Sequence, residues 1–271
     1  MQNKDCRQTS RHKPRLLAHT PSDIPLREVE SAPSMLRGLY VVLITSLVTL
    51  ITSPVVLLIC TVRSTSPLVD RLVKFWARSI VLSAGLEIQG ENLDRIERHK
   101  RYILIANHYS YLDIPCLLAA VDQPVRFLAK KSLFQVPLFG WALARSGFIP
   151  VDRKNRRTAV DSLNLAAERI RKGNSIAIFP EEGRTSSREL KPFQRGAFLL
   201  AIRSRIPIVP IAIDGTFEVL RVGKFAVTPG IVTVRAGSPI DTTSYSVRTK
   251  DALRDRTRTE IEAMLFKAET A

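Results

Sequence analysis

Tyr102–Asp113 reads YILIANHYSYLD. Its first half is a short run of large apolar residues ending at Ala106, the pattern of a buried strand. Polar residues follow at once: Asn107 and His108 at the strand's exit, then Asp113 five residues after His108. In open α/β sheets, functional groups gather at strand ends, where the backbone turns and side chains project into a crevice. If Ser110 and Tyr111 turn the chain into a helix, Asp113 falls in its first turn and can fold back toward His108. A carboxylate on one imidazole nitrogen fixes the tautomer, leaves the other nitrogen as a base and stabilises the imidazolium that forms. A His–Asp pair at this spacing also arises by chance, so the rest of the chain decides its meaning.

Downstream of Tyr102–Ala106, further β-branched runs recur at Val125–Ala129, Phe148–Val151, Ser175–Phe179, Ile208–Ile213 and Ile231–Arg235. Helix-like segments separate several of them: Ile114–Val121, Phe139–Arg145, Thr158–Arg171 and Gly196–Ser204, with a closing helix over Lys250–Lys267. Alternating strands and helices predict an α/β domain, a central mixed β-sheet flanked by helices, spanning 86–271. No internal repeat interrupts it.

Upstream the character changes. Leu39–Val62, LYVVLITSLVTLITSPVVLLICTV, carries no charge and exceeds the roughly 20 residues that span a bilayer. It begins too far from Met1 and runs too long for a cleaved signal peptide. Pro54 lies inside it and removes a helical hydrogen bond. Two arrangements fit: one kinked transmembrane helix, or a re-entrant helical pair with both ends cytoplasmic. Arg37 precedes the run and Arg63, Arg71, Lys74 and Arg78 follow it, so basic residues flank both sides, slightly favouring the pair. Pro67–Gly85 reads as an amphipathic helix, with Leu68, Leu72, Phe75, Trp76 and Ile80 against Arg71, Lys74 and Arg78. It suits an anionic membrane surface or packing onto the domain. A membrane-embedded helical segment is therefore expected over 35–85, behind a disordered basic tail over 1–34 that holds His12 and His19 without a ligand set.

The chain has 271 residues, 41 Lys and Arg against 25 Asp and Glu, and a net charge of +16. Such a charge attracts polyanions, whether nucleic acid, anionic headgroups or phosphorylated substrates. The basic residues are scattered through helices rather than interleaved with aromatics on a platform, which argues against nucleic acid. Cys6, Cys60 and Cys116 show no CxxC spacing, so neither a disulfide framework nor a metal site is expected.

No Gly-x-Ser-x-Gly elbow accompanies the His–Asp pair. A base without a protein nucleophile suits direct attack by a substrate hydroxyl on an activated acyl group. Three later segments add polar groups just after apolar runs. GFIPVDR ends in Asp152 and Arg153, and Arg153 either clamps a phosphate or pairs with Asp152. SIAIFPEEGRTS places Glu181, Glu182, Gly183 and Arg184 after a strand; Gly183 permits close backbone approach to a ligand, or simply makes a turn. IPIVPIAI holds Pro207 and Pro210, which reads as a strand bordering a groove.

In this order the four segments NHYSYLD, GFIPVDR, FPEEGR and IPIVPIAI resemble the blocks of the 1-acyl-sn-glycerol-3-phosphate (lysophosphatidic acid) acyltransferase family, within the glycerolipid acyltransferases. The linking stretches AKKSLFQVPLFGWALARSG and LKPFQRGAF are similar too, so the resemblance covers about 70–240. It implies that His108 and Asp113 are the catalytic pair and that Arg153, Glu181, Gly183 and Arg184 bind the acceptor around its glycerol phosphate. It also implies an acyl-CoA or acyl-carrier-protein co-substrate, no cofactor or metal, and a cytoplasmic-membrane enzyme with its catalytic domain facing the cytoplasm. Lys130, or backbone amides near Gly183, would stabilise the oxyanion. The third block departs from the family's Phe-Pro-Glu-Gly-Thr-Arg by placing Glu182 where a glycine stands and moving the glycine to 183. That keeps another lysolipid acceptor open, such as a lyso-ornithine lipid. A non-catalytic membrane or nucleic-acid-binding protein is the more distant alternative.

Overall fold

The computed structural model describes residues 34–62, 66–152 and 156–266, with backbone only over 156–160. The tail expected over 1–34 lies outside the described residues except for Ser34, and so does Arg153. The described residues open with helices α1 (Ser34–Val62) and α2 (Pro67–Ser83), then strands β1 (Leu86–Glu91) and β2 (Ile103–Ala106). Next come α3 (Asp113–Ala120), β3 (Val125–Lys130), α4 (Phe139–Arg145), β4 (Ile149–Val151), α5 (Arg156–Arg171) and β5 (Ser175–Ile178). The remainder is α6 (Gly196–Ser204), β6 (Ile208–Asp214), α7 (Thr216–Val219), β7 (Gly230–Ala236) and α8 (Lys250–Phe266).

The strands form one sheet in the order β1-β7-β6-β2-β5-β3-β4. All neighbours are parallel except β6 and β7, so the sheet is mixed, as the sequence predicts. Alternation along each strand sends successive side chains to opposite faces. On β2, Leu104 and Ala106 join one core with Ala77, Ile80 and Leu117 from α2 and α3. Ile103 and Ile105 join the other with Ile170, Phe198 and Ile261 from α5, α6 and α8. β2 and β5 are buried throughout, which is why each reads as an unbroken apolar run.

α1 is one helix that runs unbroken through Pro54, so the apolar run does not turn back on itself within Leu39–Val62. Gly38, Val41, Thr52, Ser53, Val56 and Cys60 are buried at helical spacing against the protein. Gly38 permits a close approach: a Cβ there would lie 2.0 Å from the carbonyl oxygen of Phe225. The other face exposes large side chains, including Leu39, Leu43, Leu47, Leu50 and Leu58. Met35–Val62 is long and apolar enough to cross a membrane, and only 17% of its apolar stretch is buried in the protein. α2 both packs and presents a surface. Val69, Ala77, Ile80 and Val81 are buried, while Leu68, Phe75 and Leu82 are exposed beside Arg71 and Arg78. Its Asp70 pairs with the buried guanidinium of Arg126 on β3, whose Nε also donates to the Ser146 carbonyl at 2.5 Å.

Two expectations need correction. β6 is not a bordering strand but sits between β7 and β2. Pro210 is tolerated there because its carbonyl, and hence its missing N–H, faces the side where the β6–β7 ladder, which starts at Ile211, has ended. That carbonyl accepts from Gly237 N at 2.8 Å. β1 escapes the sequence reading because LEIQGE is an edge strand with only Leu86 buried, so it carries no apolar run.

Candidate active site

The carboxyl ends of β2, β5 and β6 lie side by side and hold the His–Asp pair. The chain leaves β2 through Asn107 and His108 and enters α3 at Asp113, in its first turn. His108 Nδ1 lies 2.8 Å from Asp113 Oδ2. The same oxygen accepts the backbone N–H groups of Tyr109 at 2.7 Å and Ser110 at 2.8 Å. The other oxygen, Oδ1, accepts the hydroxyl of Thr216 at 2.5 Å. Asp113 and Thr216 are fully buried. Thr216 comes from the turn after β6, where Gly215 has φ +93° and a Cβ would meet the Ile231 carbonyl oxygen at 2.3 Å. Glycine is required to deliver Thr216 beneath Asp113.

His108 is held from three further sides. Its backbone N–H donates to Glu181 Oε1 at 2.7 Å, and its carbonyl accepts from Thr185 N at 3.2 Å. Its ring stacks on Phe179 with centroids 4.1 Å apart, and Phe127 stacks behind Phe179 at 5.4 Å. Next to it, Asn107 makes a two-way amide bond with Ile213, donating to its carbonyl at 2.8 Å and accepting its N–H at 2.7 Å. This locks the end of β2 to β6.

Glu181 is not an open ligand. It is buried, and its second oxygen accepts the backbone N–H of Lys191 at 2.8 Å. Burial pushes its carboxyl up to about 7 against the opposing pull of those two backbone donors. Glu181 is thus a staple between the β2 exit and the loop before α6, rather than a free acceptor-binding group. A Cβ added at Gly183 would meet nothing within 4 Å, and its φ is not left-handed. The left-handed residue is Glu182, at φ +54°, where the family's third block has its glycine. The Glu182 amide already donates to the Phe179 carbonyl at 3.3 Å. Arg184 leaves this loop beside His108, and its guanidinium carbon sits 3.2 Å from the ring centroid of Tyr111. Lys130 ends β3 on the exposed side, two strands from β2 and level with Val151 of β4. Thr216, Asn107 and Tyr111 join the site without having been singled out as site residues from the sequence. For Thr216 a signal existed: Gly215-Thr216 follows an apolar strand, the position that singled out His108.

An apolar cavity of about 410 Å³ lies between α1 and the sheet; Tyr111 and Leu112, which join His108 to Asp113, line it, whereas the pair itself does not. Thr45, Thr49 and Val56 of α1, Trp76 of α2, and Tyr111 and Phe127 contribute to its wall. Phe127 is one ring removed from His108 through Phe179. With Nδ1–H engaged by Asp113, His108 Nε2 keeps its lone pair and can accept a proton. Cys116 offers no nucleophile: it is buried, and burial holds its thiol well above the usual range.

Residues 87–214 match the family model described as Acyltransferase. The chain is 37% identical over 155 residues to 1-acyl-sn-glycerol-3-phosphate acyltransferase BAT2, chloroplastic, of Brassica napus, covering 56% of this chain and 44% of that one. It is 31% identical over 195 residues to the 1-acyl-sn-glycerol-3-phosphate acyltransferase of Haemophilus influenzae, covering 72% of this chain and 79% of that one. The chain spans about half the length of the plant and yeast relatives it matches. The crystal structure of the 1-acyl-sn-glycerophosphate (LPA) acyltransferase PlsC from Thermotoga maritima shares the fold, with a TM-score of 0.75 at 21% identity over 88% of this chain and 97% of that one. By its sequence relatives, the chain belongs to the 1-acyl-sn-glycerol-3-phosphate acyltransferase family.

Proposed function

We propose that this protein transfers a fatty acyl group from an acyl thioester to the free hydroxyl of 1-acyl-sn-glycerol-3-phosphate, giving phosphatidic acid. The observation that carries this reading is a buried, four-donor Asp113 that orients His108, with no protein nucleophile in the pair and an apolar cavity lined by the intervening Tyr111 and Leu112. His108 Nε2 takes the hydroxyl proton as the oxygen attacks the thioester carbonyl. A C–O bond forms, the C–S bond breaks, and the proton passes from the imidazolium to the leaving thiolate. The donor is acyl-CoA or an acyl-carrier protein, and the apolar cavity between α1 and the sheet takes the acyl chain of the lysolipid. Arg184 and Arg153 take the acceptor phosphate. The exposed apolar face of α1 sits in the membrane, with the α/β domain on its cytoplasmic side.

A second reading keeps the chemistry and changes the acceptor. Glu182 places a carboxylate where the family's block has glycine, which suits an acceptor whose headgroup carries an amine. Purified protein in lipid or detergent, given lysophosphatidic acid and a lyso-ornithine lipid with each donor, separates the two readings. His108→Ala is expected to abolish transfer without lowering the melting temperature by more than a few degrees. Turnover retained in that variant would remove His108 as the base.

A further inference from the structure

We propose that Tyr111 is the residue that positions Arg184 for the acceptor phosphate, and so sets selectivity for an anionic headgroup; this rests on the reading that Arg184 meets that phosphate. Tyr111 lies between His108 and Asp113 in sequence, but neither bonds to the pair nor packs in the core: it is 66% exposed. Its ring forms part of the cavity wall and carries the Arg184 guanidinium, whose carbon lies 3.2 Å from the ring centroid. The backbone on both sides of this contact is fixed. Thr185 N donates to the His108 carbonyl, and Lys191 Nζ donates to the Arg184 carbonyl. Arg184 therefore starts from a rooted point beside the base, and the ring sets where its long side chain ends. Among the described residues, the Arg184 guanidinium has no carboxylate partner.

The chemistry of stacking makes the arrangement productive. A guanidinium on a ring uses the face of its plane, while its N–H donors point outward within that plane. The fork remains available for two parallel bonds to a phosphate. The ring also stands at the cavity wall, where the acyl-bearing part of a lysolipid leaves apolar surroundings and its headgroup begins. Without the ring, Arg184 keeps its charge but loses its direction.

The test is steady-state kinetics with lysophosphatidic acid in Tyr111→Leu, Tyr111→Phe, Arg184→Ala and the Tyr111→Leu/Arg184→Ala double variant. Leucine keeps an apolar wall and removes only the π face. Tyr111→Leu is expected to raise KM for lysophosphatidic acid about 2- to 5-fold, the range of an exposed cation–π contact. Its kcat and its KM for the acyl donor are expected to stay within about twofold. Phenylalanine restores the wild-type KM, and in the Arg184→Ala background Tyr111→Leu adds less than about twofold. An unchanged acceptor KM in Tyr111→Leu overturns the proposal, as does an equal penalty with Arg184 absent or a phenylalanine variant as weak as leucine. A wild-type protein that acylates only phosphate-free lysolipids overturns this proposal and the lysophosphatidic acid assignment together. Wild-type turnover of lysophosphatidic acid with an unaltered KM in Tyr111→Leu overturns this proposal alone.

Discussion

Thr216→Val probes whether the His–Asp pair is held from below. Valine matches threonine in shape and removes the hydroxyl that reaches Asp113 Oδ1 at 2.5 Å. Asp113 has no exposed surface, so water does not replace the lost donor without rearrangement. A hydrogen bond to a charged group contributes about 1.5–3 kcal/mol, and an unsatisfied buried acceptor costs a similar amount. At roughly 2 kcal/mol, a domain of this size melts about 4–8 °C lower. If the same energy is spent on letting the Asp113 carboxylate leave its orientation, kcat/KM falls about 30-fold, since each tenfold is about 1.4 kcal/mol. The loss belongs in kcat, because Thr216 is buried beneath the pair and an interaction that orients the base acts on the chemical step. Thr216→Ser restores the hydroxyl and is expected to return both quantities to near the wild-type values. Acyl-transfer kinetics and thermal unfolding, run on the same preparations, give the answer. A Thr216→Val protein that melts lower yet keeps kcat/KM within twofold would show that the hydroxyl stabilises the fold without orienting the base.

Glu181 gives a pH signature. Its folded carboxyl is raised from 4.5 to about 7, so the folded state holds a proton that the unfolded state has lost over that window. Its contribution to stability is full below pH 4.5 and is lost as pH rises toward 7, by roughly 3 kcal/mol. Glu181→Gln cannot titrate, so the wild-type stability measured against it is expected to fall by that order between pH 5 and pH 8; a constant difference contradicts the burial argument. Asp70→Ala strands the buried Arg126 guanidinium and is expected to lower stability by about 3 kcal/mol, with Asp70→Asn losing less, as read by chemical denaturation. An unchanged midpoint would mean that α2 is held by its apolar contacts alone. Glu182→Gly relieves a left-handed φ of +54°, a strain of about 1–2 kcal/mol that the freedom of glycine in the unfolded chain partly offsets. A slightly higher melting temperature is expected, and a lower one excludes strain at this position. If the Glu182 carboxylate selects an amine-bearing acceptor, the same variant loses that turnover selectively.

Much of the fold was legible because buried strands flanked by helices leave two periods in the chain. β2, β3, β5, β6 and β7 and helices α4 and α6 fall where apolar runs and helical spacing put them. β1 was not legible: its side chains are mostly exposed at a sheet edge, so no apolar pattern marks it. The His108–Asp113 pair was legible because its two members sit five residues apart on one strand–turn–helix. Thr216 lies 103 residues from Asp113, and nothing local ties the two. Glu181 illustrates the converse. A polar residue after a strand reads as a ligand contact, yet only burial and two backbone donors reveal a staple. Gly183 misled for a related reason: the residue type signalled backbone freedom, but the backbone places the left-handed turn one residue earlier.

The site divides into a part built by strand ends and a part built by side chains at the rim. Asn107 ties β2 to β6, Glu181 ties the exit of β2 to the loop after β5, and Thr216 ties Asp113 to the turn after β6. Each tie is buried and ends on backbone or on the dyad itself, so loosening any of them disturbs packing and the orientation of His108 together. Tyr111 and Arg184 are held to each other by one ring face and contribute little to the core. Changes at strand-end ties are therefore expected to move kcat and melting temperature in concert, while changes to the Tyr111 and Arg184 side chains move acceptor KM alone. This separation lets acceptor preference drift through rim residues such as Glu182 without disturbing the base. A strand-end variant that lowered only acceptor affinity, with kcat and stability intact, would contradict it.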